Sequence, residues 1–412
     1  MPHLISFLGT GSFHLVDNKR EYRTAKYQFN NQIQETKYVS LFLAQQLKAD
    51  KIIFIGTFKS MWEQIYIDLV PPHNINEPLL NQLLELHNKK HSDPYNPQIF
   101  SELEQQINQH SHTKIKIIIV NYGINQDEIH QNIQIIYQQL LDEFIHHPHP
   151  VQLHIDTTHS FRSLPLVLLQ VIQYFSWIHN DKIQIKGIYY GMLEVINELG
   201  YAPIIDLSSI WNIQQWTQAA YDFQNYGNGY LLSQLINNTN PSEANLIRQF
   251  SENLNLNLIF HFKQNIQQLR GILNKEYPSL GKNIIPNVLS GFLQRFKGDL
   301  KNIPDWKLQL ELAKWQFENK RYGLAVIILY EAIFSYICYK ENLNPLAYND
   351  REIAKKKFYP KKNYKSIRDI ISKNKIDDIR NGIAHQLEKQ ITPDKAIKNI
   401  QNAILEIEKI LL

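Results

Sequence analysis

The chain is nearly free of cysteine: Cys338 is the single thiol in 412 residues. One thiol can form neither an intrachain disulfide nor a cysteine-based zinc site. Cys338 lies in the apolar run 332–338 and reads as core filling. Long apolar runs are also scarce. The longest, near 164–172, is short and interrupted against the roughly 20 residues that a membrane-spanning helix needs. Residues 1–8 lack the basic start and extended apolar stretch of a secretory leader. A cytoplasmic protein with no membrane partner is therefore expected. Neither sign of charge is in much excess, with 43 basic and 39 acidic residues for a net +4. That balance names no partner by itself.

What is present is ordinary globular material: 43% hydrophobic, 11% aromatic and 20% charged residues. It suffices for more than one buried core. At roughly 100–200 residues per domain, two or three domains are expected. No internal repeat is visible. One local charge bias stands out. Lys355, Lys356, Lys357, Lys361, Lys362 and Lys365 crowd the stretch 351–368, which has few acids. Such a stretch suits a polyanion, since phosphate contacts dominate nucleic-acid affinity. A solvated lysine-rich loop fits equally well.

The first half alternates short β-rich runs with helical patterns. Strands are expected at 4–8, 51–55, 114–120, 151–156 and 182–190. Helices are expected at 35–48, 60–70, 102–110, 127–145 and 162–178, with 22–29 as an extra strand or hairpin. Several strands are nearly continuous apolar runs, such as Ile115 with 117–120, as strands covered on both faces of a parallel sheet are. The alternation implies a doubly wound, Rossmann-like α/β domain over about 1–205. It stops near Ala202. A helical connector over about 206–300 and an all-α domain over about 301–412 follow, with Pro286 and Pro304 as punctuation.

Two loops of the α/β half invite a ligand. The first strand ends in Gly9, Thr10, Gly11 and Ser12, a glycine turn that frees backbone N–H groups for phosphate. The dinucleotide fingerprint is incomplete, because His14 stands at the third glycine position. No phosphate-loop lysine follows at the expected spacing. Nicotinamide chemistry and ATP hydrolysis are not expected, and no cofactor is. A purely structural tight turn remains open. The fourth strand runs into Asp156, Thr157, Thr158, His159, Ser160, Phe161 and Arg162 ahead of a long apolar helix. Ligands of open α/β sheets bind at such carboxyl ends. Hydroxyls suit ribose and phosphate, and Arg162 can fork onto a phosphate. Asn121, Tyr122, Gly123, Gly191 and Met192 follow other strands and could line the same crevice. His146, His147, His149 and His154 are close in sequence but interrupted by Pro148 and Pro150, and no metal is expected there.

The opening segment with Thr10 and the tyrosine-rich hairpin, together with Asp156–Arg162, resembles the two ligand motifs of CRISPR-associated CARF domains. Ser160 stands where that family usually has glycine. The resemblance implies a dimeric sensor of cyclic oligoadenylate, four adenylates preferred. It carries Thr10, Ser12, Thr158, His159 and Arg162 over as binding residues.

Near the C-terminus, Arg380, Asn381 and His385 stand in the segment 377–385. Five residues on a straight helix put Arg380 and His385 about 140° apart. Asn381 and Gly382 suggest a turn that would let them converge. Metal-free RNA cleavage needs a proton carrier and a cation for the phosphorane, and this pair supplies both. A surface histidine and an arginine paired to Asp377 or Asp378 fit the spacing as well. Arg380, Asn381 and His385 also resemble the motif of HEPN ribonucleases. The apolar helix containing Glu331, the basic stretch and the terminal helix are in matching order. The combination resembles the accessory ribonucleases of type III CRISPR systems. It implies a homodimeric, metal-independent endoribonuclease on single-stranded RNA, switched by cyclic oligoadenylate, with Asn381 orienting the pair. One alternative is a nucleotide-sensing regulator that binds RNA or DNA without cutting; a second is that Thr10, Ser12 and His159 also help cleave the cyclic oligoadenylate.

Overall fold

The computed structural model describes all residues except 1, 15–18, 160–162, 273–276, 278–280, 297–301, 360–362 and 386–390, and does not describe the side chains at 12–14, 19–21, 259, 260 and 283. The chain divides into two compact units, Met1–Trp211 and Asn212–Leu412.

Among the described residues the first unit holds ten strands. They are β1 (Pro2–Leu8), β2 (Ser12–His14), β3 (Lys19–Glu21), β4 (Ala25–Phe29), β5 (Gln32–Thr36), β6 (Lys51–Gly56), β7 (Lys114–Ile119), β8 (Val151–Asp156), β9 (Ile183–Gly191) and β10 (Ala202–Asp206). Its helices are α1 (Val39–Leu47), α2 (Trp62–Leu69), α3 (Glu77–Glu85), α4 (Gln98–His110), α5 (Gln126–Phe144), α6 (Leu164–Ile178) and α7 (Ile196–Leu199). The main sheet has eight strands in the order β5-β4-β10-β9-β8-β1-β6-β7. Strands β9, β8, β1, β6 and β7 run parallel. β10 is antiparallel to β9, and β5 to β4. The expected parallel sheet is therefore present over those five strands, and β10, β4 and β5 make the whole sheet mixed. β10 escapes the sequence pattern because its run is short and carries Pro203.

Strand side chains alternate between the faces. Leu4, Leu8, Ile52 and Phe54 pack with α1, α2 and α4 on one side. Ile5, Phe7, Ile53 and Ile55 pack with α5 and α6 on the other. Both faces are covered, which accounts for the continuous apolar runs. The β4–β5 hairpin turns at Asn30 and Asn31, whose φ angles of 49° and 63° suit a primed two-residue turn.

The second unit is helical. α8 (Ser208–Tyr226) crosses the unit boundary. There follow α9 (Tyr230–Ile236), α10 (Pro241–Asn255), α11 (Ile259–Ile272), α12 (Gly281–Leu293), α13 (Asp305–Glu318), α14 (Tyr322–Lys340), α15 (Tyr348–Phe358), α16 (Lys365–Lys373), α17 (Ile376–His385) and α18 (Pro393–Leu411). One core runs from Trp216 to Leu411. Pro304 precedes α13, but Pro286 lies inside α12 and does not end it. α14 is the one described helix long and apolar enough to cross a membrane. Here it is a core helix, with Ala325, Leu329, Ala332, Ile333, Ile337 and Cys338 buried.

Candidate functional site

The strand order changes direction around β1: β6 and β7 lie on one side, β8 and β9 on the other. Ligands gather outside the carboxyl ends of strands at such a switch point. The two loops singled out in the sequence leave neighbouring strands there, because Ser6 of β1 pairs in register with Asp156 of β8.

Asp156 is fully enclosed. Its Oδ2 accepts from the Ser6 hydroxyl at 2.7 Å. Its Oδ1 accepts from the Thr158 N–H at 3.0 Å and the Thr158 hydroxyl at 2.6 Å. The Thr158 hydroxyl in turn accepts from the Gly191 N–H at 2.8 Å. Thr157 donates both N–H and hydroxyl to the Tyr189 carbonyl, at 2.9 and 3.0 Å. The acid therefore sets the shape of the loop from inside. A buried carboxylate needs such donors, and it has three. Gly191 must lack a side chain: a Cβ would stand 2.9 Å from Tyr27 Cε1 and 3.1 Å from Thr158 Cγ2.

The glycine turn is tied down from the other side. The Gly9 carbonyl accepts from the Tyr22 hydroxyl at 2.8 Å and the Met61 N–H at 3.0 Å. Burial pushes the Tyr22 hydroxyl far above the ordinary tyrosine range, so it stays a donor. Gly11 adopts φ 70°, a left-handed conformation that favours glycine. Thr10 and Gly11 are half-buried beside it. The His159 ring packs on Tyr22 with centroids 5.1 Å apart. Its Nε2 is enclosed and, among the described residues, has no hydrogen-bond partner. Burial pushes the imidazole below its ordinary value, only partly opposed by Asp156, so it is neutral near pH 7. The neutral ring thus lies beside the glycine turn with its Nε2 enclosed and unpaired among the described residues.

Asn121 follows β7, with β6 between it and β1. Its N–H donates to Asn132 Oδ1 at 2.7 Å, its carbonyl accepts from Asn132 Nδ2 at 2.9 Å, and its own amide donates to Gln131. These bonds anchor the strand end to α5. The Ser12 side chain and Ser160, Phe161 and Arg162 lie outside the described residues. Ser6, Tyr22 and Tyr27 were missed as site residues. Their signal is register and packing across long sequence separations, which no local motif carries.

In the second unit, α17 runs unbroken from Ile376 to His385, so the turn expected at Asn381 and Gly382 is not formed. A helical glycine costs about 1 kcal/mol relative to alanine. Burial of Ile376 and Ile379 and packing on α14 outweigh that cost. Arg380 and His385 consequently stay about 140° apart around one helix. The Arg380 guanidinium sits over the Tyr330 ring of α14, 5.2 Å from its centroid, and donates to Asn381 Oδ1 at 2.9 Å. Stacking plus a neighbouring acceptor fixes the plane of the fork. His385 is exposed at the helix end. Glu331 is ion-paired with Arg351.

Lys355, Lys356 and Lys357 belong to the last turn of α15, not to a loop. Lys355 pairs with Glu352 at 2.6 Å and Lys357 with Glu341, while Lys356 is exposed. Surface pairs of this kind are worth at most about 1 kcal/mol and can exchange for phosphate. Lys361 and Lys362 lie outside the described residues. His154 is buried on β8 beside Tyr189, its Nδ1 3.3 Å from the hydroxyl, and so is parted from the surface histidines near it in sequence.

A sheet with polar loops over a switch point defines a Rossmann-like ligand-binding domain. Residues 3–194 match the family described as the CARF domain of the CRISPR system endoribonuclease Csx1. Residues 212–301 match the second domain of the CRISPR-associated protein MJ1674. The MJ1674 protein of Methanocaldococcus jannaschii is 33% identical over 430 residues, covering 98% of this chain and 66% of that protein. The chain thus spans about two thirds of the length of that curated relative. Enterococcus italicus Csm6 bound to cyclic hexa-2'-fluoro-hexa-dAMP aligns with 100% of this chain and 94% of that one, at 13% identity and TM-score 0.38. The chain is a CRISPR-associated protein with an N-terminal CARF domain of the Csx1 type and a mostly helical C-terminal region.

Proposed function

We propose that this chain is a cytoplasmic endoribonuclease of type III CRISPR defence, activated by cyclic oligoadenylate and acting as a homodimer on single-stranded RNA. One observation carries the reading. Arg380 is preset on α17 by Tyr330 and Asn381 and His385 is open on the same helix, in a chain whose first unit is a CARF domain.

The chemistry asks for no metal. The RNA 2′-oxygen attacks the adjacent phosphorus, and the bond to the 5′-oxygen breaks. The 2′-proton must leave and the 5′-oxygen must gain one. His385 moves a proton, and Arg380 holds the charge of the pentavalent phosphate. The products are a 2′,3′-cyclic phosphate and a 5′-hydroxyl. Lys355, Lys356 and Lys357 would draw in the RNA backbone, with Lys361 and Lys362 beyond them.

Arg380 and His385 diverge around α17, so one copy of the helix cannot present both to one phosphate. Two copies can. The apolar outer face of α5 and α6 supports that assembly: Leu166 is 68% exposed, Trp177 62% and Tyr174 55%. Leu166 and Tyr174 line a groove of about 640 Å³ together with Ile133, Tyr137 and Val171. Apolar faces of this kind mark interaction sites. Ligand held by Thr10, Thr158 and His159 would favour the active dimer through its higher affinity for that state.

The test is one RNase assay with cyclic tri-, tetra- and hexa-adenylate in parallel, in EDTA. Cleavage with one ring size, the tetra-adenylate by preference, supports the reading. Cleavage with none overturns the sensor assignment. Ligand-dependent RNA binding without cleavage would make the chain a non-catalytic regulator.

A further inference from the structure

At the opposite end of the parallel strands from the CARF loops lies a second cluster. His3 is near the start of β1, Glu143 is in the last turn of α5, and His147 follows that helix. One ligand atom from each lies within 4.8 Å of the others. His3 is only 3% exposed, and among the described residues its Nδ1 has no hydrogen-bond partner. Its Nε2 is 3.7 Å from Glu143 Oε1. The His3 and His147 rings meet edge to face, with centroids 5.8 Å apart.

The third ligand is held in place. The His147 N–H donates to the Phe144 carbonyl at 3.2 Å, and its own carbonyl accepts from Lys182 Nζ at 3.2 Å. Pro148 restricts its backbone further. A buried imidazole with an idle nitrogen costs free energy unless something completes it. Two imidazoles and a carboxylate are the donor set of zinc-type ions.

We propose that His3, Glu143 and His147 bind a divalent transition-metal ion of the zinc class, separate from the ligand and RNA sites. The ion would tie β1 to the end of α5. Lys51 is paired with the cluster's carboxylate through Glu143 Oε1. His3 also meets Oε1, which leaves Oε2 for the metal. Lys51 is 29% exposed and can withdraw into solvent. It competes with the metal for Glu143, the one member of the cluster it is seen to bond.

Full-length protein stripped with chelator is titrated with cobalt(II), read by its visible absorption, and the cobalt is then displaced with zinc. The proposal predicts one equivalent per chain and a rise in melting temperature with zinc. The band is lost in His147→Ala and Glu143→Gln and kept in the neighbouring His146→Ala/His149→Ala. Lys51→Met binds more tightly. His147 lies in a half-buried loop, so its variant keeps the test open if Glu143→Gln fails to fold. No band in the wild type, an undiminished band in His147→Ala, or weaker binding in Lys51→Met would overturn the site.

Discussion

Ser6 and Asp156 face each other across adjacent parallel strands, and the Ser6 hydroxyl donates to Asp156 Oδ2 at 2.7 Å across 150 residues of sequence. The other carboxylate oxygen holds Thr158. The acid of the second ligand motif is thus a scaffold for the hydroxyl-bearing loop, and the loop surface belongs to Thr158 and His159.

Asp156→Ala strands three buried or half-buried donors. It should lower stability by about 1–3 kcal/mol and weaken cyclic tetra-adenylate binding, read by calorimetry on the same samples. Unchanged stability would show that the loop does not depend on this acid.

Arg380→Ala removes the proposed phosphate cation and should cut the cleavage rate by about 10²–10³. In this reading Tyr330 touches no reacting atom and positions Arg380 through its ring. Tyr330→Leu should lower kcat with KM nearly unchanged, and Tyr330→Phe, which keeps the ring, should restore it. Equal loss in the Phe and Leu variants would assign Tyr330 a different role.

The exposed face of α5 and α6 should be covered in the active protein. Leu166→Glu combined with Trp177→Glu should yield a monomer by light scattering. RNA cleavage should fall with it, although Arg380 and His385 are untouched. A fully active monomer would refute the two-copy site.

Glu143 gives a pH signature. Burial alone would raise its carboxyl, but hydrogen bonds from His3 and Lys51 outweigh that and hold it at about 2, against an ordinary 4.5. The stability it contributes is fully present above the ordinary value and is lost as pH falls toward about 2. Melting temperature followed down this window should fall more steeply in wild type than in Glu143→Gln.

Much of the α/β unit is legible in sequence, since the apolar stretches Ile52–Ile55 of β6 and Ile117–Ile119 of β7 suit a sheet covered on both faces, and β1 and β8 alternate with helical patterns. β10 is not, because Pro203 and a short run hide an antiparallel strand. The positions of both candidate ligand loops are also legible, because strand ends announce them. The inward role of Asp156 is not, since Ser6 gives no sign of it. At the C-terminus, Gly382 suggested a turn. The burial of Ile376 and Ile379, a tertiary effect, keeps α17 straight. His147 stands out among the histidines near it in sequence, but His3 and Glu143 join it only through the fold.

The most direct measurement is single-stranded RNA cleavage with cyclic tetra-adenylate and EDTA. It compares wild type, Arg380→Ala, His385→Ala, the double variant and an equimolar mixture of the two single variants. The proposed mechanism predicts ligand-dependent cleavage by wild type, loss in each variant alone, and partial return on mixing as chains exchange. Cleavage by the double variant at the wild-type rate would contradict the catalytic assignment of Arg380 and His385.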